Sequence, residues 1–383
     1  MLPAARAEIV VDLAAIRHNV QVLRELAGVP VMTVVKADGY GHGMVPVARA
    51  AREAGAEWLG VATLDEALEL RASGDTGRIL CWLYVPGEEY DAGVAAGLDL
   101  TAYTPAELDE IEESVGDTGR TALVQLKIDT GLSRGGASPA SWPALIERAR
   151  EGERAGHWKV TGIWSHFSSS DEPDDPANDA QEASFRWALT VAEAAGLRPE
   201  VRHLANSAAT LLRPSSRFDL VRCGIASYGL DPAPGETSGV DLRPAMTARA
   251  SLALVKDVEA GDAVSYGRTW IAETPTTIGL VPVGYGDGVP RRSGNHAEVL
   301  VGDRRRPVRG RVCMDQLLVD LEGEEHRPGE DVELFGDGHD GGPTAQDWAE
   351  ASDTISYEIV TRIGSGRMPR RYVDSETDPG ATA

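Results

Sequence analysis

A (β/α)8 barrel of the TIM type followed by a mainly β domain is the α/β fold this sequence predicts. Three observations carry the expectation. Short β-branched runs alternate with amphipathic segments eight times up to about residue 230. A Pro-, Gly- and Ser-rich stretch, DPAPGETSGVDLRP at 231–244, then breaks the pattern. Beyond it come strand-like runs with Gly-containing turns. The boundaries are 1–235 for the barrel, with its first residues free to pair with the C-terminal domain, 236–375 for the β domain, and a disordered polar tail at 376–383.

Taken in order, strands are expected at Val31–Ala37, Trp58–Ala62, Ile79–Tyr84, Leu98–Tyr103, Ala122–Thr130, Val160–Phe167, Val201–Asn206 and Asp219–Tyr228. Between them lie helical patterns such as LDEALELRASG after Thr63. In TPAELDEIEESVG, Thr104 caps, Pro105 takes the first helical position and Glu107 completes a capping box. Eight strand–helix repeats fit a closed barrel best. A doubly wound open sheet stays the alternative, since a linear pattern cannot show closure. In the second domain one clear helix stands out, TAQDWAEAS, and the basic run Arg304–Arg311 reads as a solvated strand face.

Composition narrows the function classes. The chain has 383 residues and a net charge of −23, which disfavours nucleic acid and anionic membranes as partners. Cys81, Cys223 and Cys313 are far apart with no CxxC pair, so no zinc site is expected, and a reducing compartment suits them. No apolar run is long enough to cross a membrane, and the N-terminus lacks a signal-peptide pattern. A cytoplasmic protein is expected.

Barrel active sites lie at the C-terminal ends of the strands. There the sequence places Lys36, Lys127 with Arg134 just beyond, His166, Asn206–Ser207 and Arg222. Singly, each has an ordinary reading: a surface lysine, a core histidine, an ion-pair partner. Together at one face they suggest a site. A lysine ending an apolar strand is partly desolvated, which lowers its pKa and favours attack on an aldehyde. Tyr40, the Ser207 hydroxyl and backbone N–H groups at Gly224–Ile225 could hold a phosphate. The residues alone thus define a lysine-plus-phosphate site, compatible with pyridoxal phosphate (PLP) and equally with an aldolase-like enzyme.

VVKADGYGHG resembles the PLP-attachment signature of the alanine racemase family. KIDTGLSRGG, GIWSHFSSSDEP, HLANSAA, VRCGIASYGL, VSYGRTW, VPVGYGDG, RVCMDQ and SYEIVTRIGSGRMPR resemble further blocks of that family, in its order, from about Ala7 to Tyr372. The resemblance implies that Lys36 carries PLP and is one catalytic base, with Tyr266 the opposing base. It implies that Arg222 donates to the pyridine nitrogen and that His166 orients that side. Tyr40, Asn206, Ser207, Gly224, Ile225 and Tyr357 become cofactor ligands. Arg134 and the Met314 N–H become ligands of the substrate carboxylate. Lys127 matches a lysine carbamylated in many members, and Tyr285 and Asp315 match supporting positions. Two departures stand out: Cys223 follows Arg222 where proline is common, and Ser168–Ser170 replaces an alanine-containing run.

The family chemistry needs these groups. Racemisation takes a proton from one face of the α-carbon and returns one to the other, so a base is needed on each. Free lysine and tyrosine pKa values of about 10 leave little base at neutral pH, so both must be tuned. The resemblance implies a homodimer in which the β domain of one subunit completes the barrel site of the other, acting on alanine to supply D-alanine for the cell wall. A racemase of broader range, a non-catalytic PLP carrier and a decarboxylase are the alternatives. The second base argues against a carrier.

Overall fold

The computed structural model describes residues 6–88, 90–237 and 239–375; the tail expected to be disordered, 376–383, lies outside them. The first strand, β1 (Ala7–Asp12), precedes the barrel. The barrel strands are β2 (Val31–Val34), β3 (Trp58–Val61), β4 (Arg78–Cys81), β5 (Asp99–Ala102), β6 (Ala122–Lys127), β7 (Trp158–Trp164), β8 (Val201–His203) and β9 (Val221–Cys223). Neighbours from β2 to β8 pair in parallel in chain order, and β9 returns to pair with β2, Met32 opposite Arg222. Asp219 N and Arg222 N donate to Arg202 O and Ala205 O, each at 3.0 Å, which carries the bonding from β9 to the β8 side. The sheet is thus a nearly closed barrel rather than an open doubly wound sheet.

Local sequence explains the elements. Strands β2, β3 and β5 are buried at every residue, as a parallel sheet covered on both faces requires. The helix Pro105–Thr118 starts with the expected capping box, Glu107 N to Thr104 Oγ1 at 3.2 Å and Thr104 N to Glu107 Oε2 at 2.9 Å. Leu64–Ala72 starts the same way from Thr63 and Glu66. Met32, Trp58, Leu80, Trp164 and Leu220 pack together, with Trp82 and Val201 against them.

All eight barrel strands are shorter than read, and for the first and the last the backbone shows why. The first stops at Val34 because the chain turns sharply: Ala37, Asp38, Gly39 and Tyr40 all take φ between 51 and 61°, a left-handed turn. The last ends at Cys223, where Gly224 (φ −95°, ψ −100°) leaves the extended region and a 3-10 turn, Ile225–Tyr228, begins.

The remaining strands are β10 (Met246–Ser251), β11 (Leu254–Val258), β12 (Ala263–Val264), β13 (Trp270–Ile271), β14 (Thr276–Val281), β15 (Glu298–Val301), β16 (Arg304–Pro307), β17 (Leu317–Asp320), β18 (Asp331–Phe335) and β19 (Arg370–Val373). They form a mainly β domain of three sheets, the largest ordered β16-β15-β18-β10-β1-β19. β1 runs antiparallel to β10 and parallel to β19, with Glu8 opposite Arg249 and ion-paired to it. The helix read from TAQDWAEAS is Ala345–Ser352, capped by Thr344 and Asp347. A second helix, Ser356–Arg362, was not legible, because SYEIVTR is short and rich in β-branched and polar residues. The basic run is not uniformly solvated. Arg304 and Arg305 are exposed, but Arg306 is buried and bonded to Glu322 and Glu324.

The chain divides into two units. One holds the stretch up to Ala15, Tyr40–Gly43 and everything from Arg243 on; the other holds Ile16–Gly39 and Met44–Leu242. Lys36 and Tyr40, four residues apart, therefore belong to different units.

Candidate active site

Within the barrel unit, the C-terminal strand ends gather a cationic cluster. Lys36 follows β2 in the turn just described, which Glu66 pins: its carboxylate accepts from Ala37 N at 2.7 Å and from Ala62 N at 2.8 Å. The Lys36 ammonium lies 5.9 Å from the centre of the Trp82 ring. Burial lowers the Lys36 pKa, the charge of Arg134 lowers it further, and Glu66 opposes both.

Lys127, at the end of β6, is 5% exposed. Its Nζ lies 4.4 Å from the centre of the Trp164 ring and 5.4 Å from that of Tyr103. Burial, then the charges of Arg222 and Arg134, bring its pKa down to about 7. Arg134 itself is exposed, in the loop after β6.

Arg222, on β9, is the most heavily bonded of the set. Its Nη2 faces Ser165 O at 2.7 Å, Leu204 O at 3.0 Å and His166 Nδ1 at 3.2 Å. Its Nη1 donates to His203 Nδ1 at 2.9 Å. Its Nε–H takes part in none of these bonds. Burial lowers its pKa, yet a guanidinium keeps its proton at neutral pH. His166 is held neutral: burial first, then Arg222, Arg134, Lys127 and Lys36, push its pKa well below the usual value.

Beside this cluster, Asn206 caps the helix Ser207–Leu212, its Oδ1 accepting from Ala209 N at 3.0 Å. The same oxygen accepts from Ser170 Oγ at 2.9 Å, so the unusual serine run is tied to the site. Ser207 Oγ accepts from Gly224 N at 2.9 Å and Ala226 N at 3.4 Å, which puts one hydroxyl and the backbone around Ile225 in a polar cradle. Cys223 is buried behind it, with its thiol toward Thr210 Oγ1.

Within the β-domain unit, three loops bring Tyr266, Tyr285, Met314 and Asp315 together. Tyr266 opens a tight turn after Ser265 (φ 66°), and Ser265 Oγ donates to Arg311 O at 2.6 Å. Tyr285 N and Gly286 N donate to Cys313 O and Met314 O, at 3.0 and 2.8 Å. A Cβ at Gly284 would sit 2.3 Å from Cys313 O, so these loops meet only because that position is glycine. Arg367 bridges to Asp315 at 2.6 Å. Tyr266, Met314 and Tyr285 are 70, 55 and 41% exposed. Tyr357 packs near Tyr40, ring centres 6.2 Å apart, and burial pushes the Tyr40 pKa up.

The sequence reading missed Trp164, His203 and Glu66. Trp164 supports Lys127 on its ring, lies 4.9 Å from the Arg222 guanidinium and stacks on His203 at an interplanar angle of 6°. His203 opens the HLANSAA block, so a polar residue in a barrel strand was visible there.

Both halves of the chain match one class of isomerase. Residues 11–232 match the alanine racemase N-terminal domain, and residues 245–372 match the alanine racemase C-terminal domain. An alanine racemase of Salinispora arenicola is 54% identical over 367 residues, covering 96% of this chain and 98% of that one. A solved alanine racemase from D-cycloserine-producing Streptomyces lavendulae superimposes with a TM-score of 0.95 at 49% identity, covering 96% of this chain and 97% of that one. One from Streptomyces coelicolor gives 0.94 at 52% identity, covering 96 and 98%. The chain belongs to the alanine racemase family, and is an enzyme of alanine racemisation. Among the described residues no helix is long and apolar enough to cross a membrane.

Proposed function

We propose that the chain interconverts L- and D-alanine with PLP by a two-base mechanism, as a cytoplasmic homodimer that supplies D-alanine for peptidoglycan. The observation that carries this reading is Lys36: a half-buried amine of lowered pKa at a barrel's C-terminal face, among cations suited to an anionic cofactor. The residues present fit PLP. Lys36 offers the amine, and Arg222 Nε–H offers a donor to the ring nitrogen. For a phosphate the cradle has the Ser207 hydroxyl and the N–H groups of Gly224 and Ile225, of which the Gly224 N–H donates to Ser207 Oγ here and would turn to the anion. Asn206 braces the cradle, and Tyr40 and Tyr357 are assigned as further phosphate ligands by family resemblance.

When bound, PLP supplies the conjugated, electron-withdrawing system that makes an amino acid's α-proton labile. The chain's own groups do the rest. Lys36 Nζ takes or returns the proton on one face. The Tyr266 hydroxyl of a second copy does so on the other. Arg134 and Met314 N–H hold the alanine carboxylate, with Lys127, Tyr285 and Asp315 as supports. Arg222 and neutral His166 keep a fixed donor and a fixed acceptor beside the ring. The exposure of Tyr266, Tyr285 and Met314 supports the dimer, since a base open to water cannot be tuned.

The test is to incubate the purified protein with PLP and L-alanine, follow D-alanine with a stereospecific assay, and record the absorbance of bound PLP after dialysis. No D-alanine from a protein that retains PLP would refute the reading.

A further inference from the structure

We propose that Asp99 and Gln125, inside the barrel, are positioning residues that fix the tautomer of His203 and through it hold Arg222 at the catalytic face. The proposal rests on reading Arg222 as the donor to the cofactor ring. A continuous polar chain runs through the barrel interior, all within one unit. Arg78 Nε and Nη2 donate to Asp99 Oδ2 and Oδ1, at 2.8 and 2.5 Å. Gln125 Nε2 lies 3.4 Å from Asp99 Oδ1, and Gln125 Oε1 lies 2.7 Å from His203 Nε2. His203 Nδ1 then meets Arg222 Nη1 at 2.9 Å, and Arg222 Nη2 reaches His166. Asp99, Gln125 and His203 are fully buried, and Arg222 is nearly so.

The two ends of this chain have fixed roles. A guanidinium only donates, so His203 Nδ1 must accept and His203 must carry its proton on Nε2. A carboxylate gripped by Arg78, with Thr161 Oγ1 donating to it at 2.5 Å, only accepts, so Gln125 must turn its NH2 toward Asp99. The Gln125 oxygen is then left facing His203 Nε2–H. Both ends therefore demand the same single arrangement of protons between them. Flipping the amide would set oxygen against carboxylate and N–H against N–H. Moving the His203 proton to Nδ1 would set it against Arg222.

Two further contacts keep the arrangement in place. Trp164 stacks on the His203 ring. Gly162 makes room for Gln125, since a Cβ there would lie 2.5 Å from Oε1. The consequence is functional: Arg222 gives one nitrogen to His203 and one to Ser165, Leu204 and His166, which fixes where its Nε–H points.

The experiment is nitrogen NMR of histidine-labelled, PLP-loaded protein, with His203 assigned by difference against His203→Asn. Wild type should show His203 as one neutral species, protonated on Nε2, from about pH 6 to pH 9. Two variants loosen the relay differently: Gln125→Met removes the amide, and Gly162→Ala displaces it while removing no polar group. In both, His203 Nε2–H loses its acceptor, so part of the His203 signal should move toward the Nδ1–H form, in which the contact with Arg222 is given up and the guanidinium is free to shift. The kcat for L-alanine should fall about ten-fold or more, with KM changed less than about two-fold. Should Gln125→Met fold poorly, Gly162→Ala carries the test. The proposal is overturned if wild-type His203 is protonated on Nδ1, or if the variants keep both the wild-type signals and the wild-type kcat. The nitrogen signals do not depend on turnover, so a protein with the expected tautomer and no D-alanine would count against the racemase reading and for the relay.

Discussion

Replacing Lys127 by methionine should change how stability depends on pH. In the folded chain Lys127 has a pKa of about 7, against an ordinary 10.5, chiefly because it is buried. Between those values the unfolded chain binds a proton that the folded chain does not. Folding stability must therefore rise with pH across this window and level off above it. Below about pH 7 both states are protonated, and the full cost of burying the charge is present. The gap between the two pKa values corresponds to an upper bound of ~5 kcal/mol, of which about 3 kcal/mol should be gained between pH 6 and pH 9. Lys127→Met keeps the apolar stem over the Trp164 ring and removes the charge, so it removes this contribution and little else. The assay is thermal unfolding of wild type and variant at matched, saturating PLP, since a ligand bound to the native state shifts the midpoint. Subtracting the two pH profiles cancels every other titrating group. Wild type should gain a few degrees on Lys127→Met as pH rises from 6 to 9. Parallel profiles would refute the idea that Lys127 is driven neutral by its surroundings.

The same neutral amine is suited to take up CO2, forming an N–C bond with loss of a proton, and it lies over the ring of Trp164, whose buried indole N–H has no hydrogen-bond partner among the described residues; electron density from crystals grown with bicarbonate should show a carbamate on Lys127, and a bare amine there would exclude it. Lys36→Ala should lose the absorbance of attached PLP on dialysis, and borohydride reduction of wild type should label Lys36; label on another lysine would reassign the anchor. Tyr266→Phe should retain PLP yet lose racemisation in both directions, because each direction uses one group as acid and the other as base; near-wild-type turnover would remove tyrosine from the mechanism. Mixing inactive Lys36→Ala and Tyr266→Phe chains should restore activity if sites are shared between subunits, and proven exchange without recovery would show each site to be built from one chain.

The barrel was readable because its periodicity is strong. Buried parallel strands are short apolar runs, and caps such as Thr104–Glu107 mark where helices begin. What stayed hidden depends on contacts distant in sequence. Nothing in VVKADGYGHG beyond its glycines announces four consecutive left-handed residues, since alanine, aspartate and tyrosine rarely adopt them. A pairing of the first residues with the C-terminal domain was left open, but the particular partners of β1, β10 and β19, were not legible, since they lie more than two hundred positions away. Most candidate site residues were found through motif resemblance, and the ordinary readings of Lys36, His166 and Arg222 were dismissed only because they fell at one face. Gln125 carried its own signal: a glutamine inside ALVQLK, in a strand buried on both faces, must have a buried partner.

The charges at the barrel face explain why the site needs burial and anions together. Arg134 acts on both lysines, Arg222 and Lys36 act on Lys127, and the carboxylates opposing the two lysines are Glu66 and Asp129. Both of those are engaged elsewhere: Glu66 by the backbone at Ala37, Ala62 and Thr63, and Asp129 by Gly131 and Ser133. In a chain of net charge −23 this local excess of cations is a feature of the fold and not of its composition. Crowded cations in a buried place have two ways to lower their energy. The lysines can shed protons, and anions can be held. Arginines cannot do the first, so they define the places where negative charge must come. On the proposed reading, the same arrangement that would make Lys36 a nucleophile and a base would also favour a phosphate-bearing cofactor and a carboxylate-bearing substrate. Replacing Arg134 by a neutral residue would remove a cation that could hold an anion and would raise the pKa of both lysines at once, which would couple recognition to chemistry in one electrostatic field.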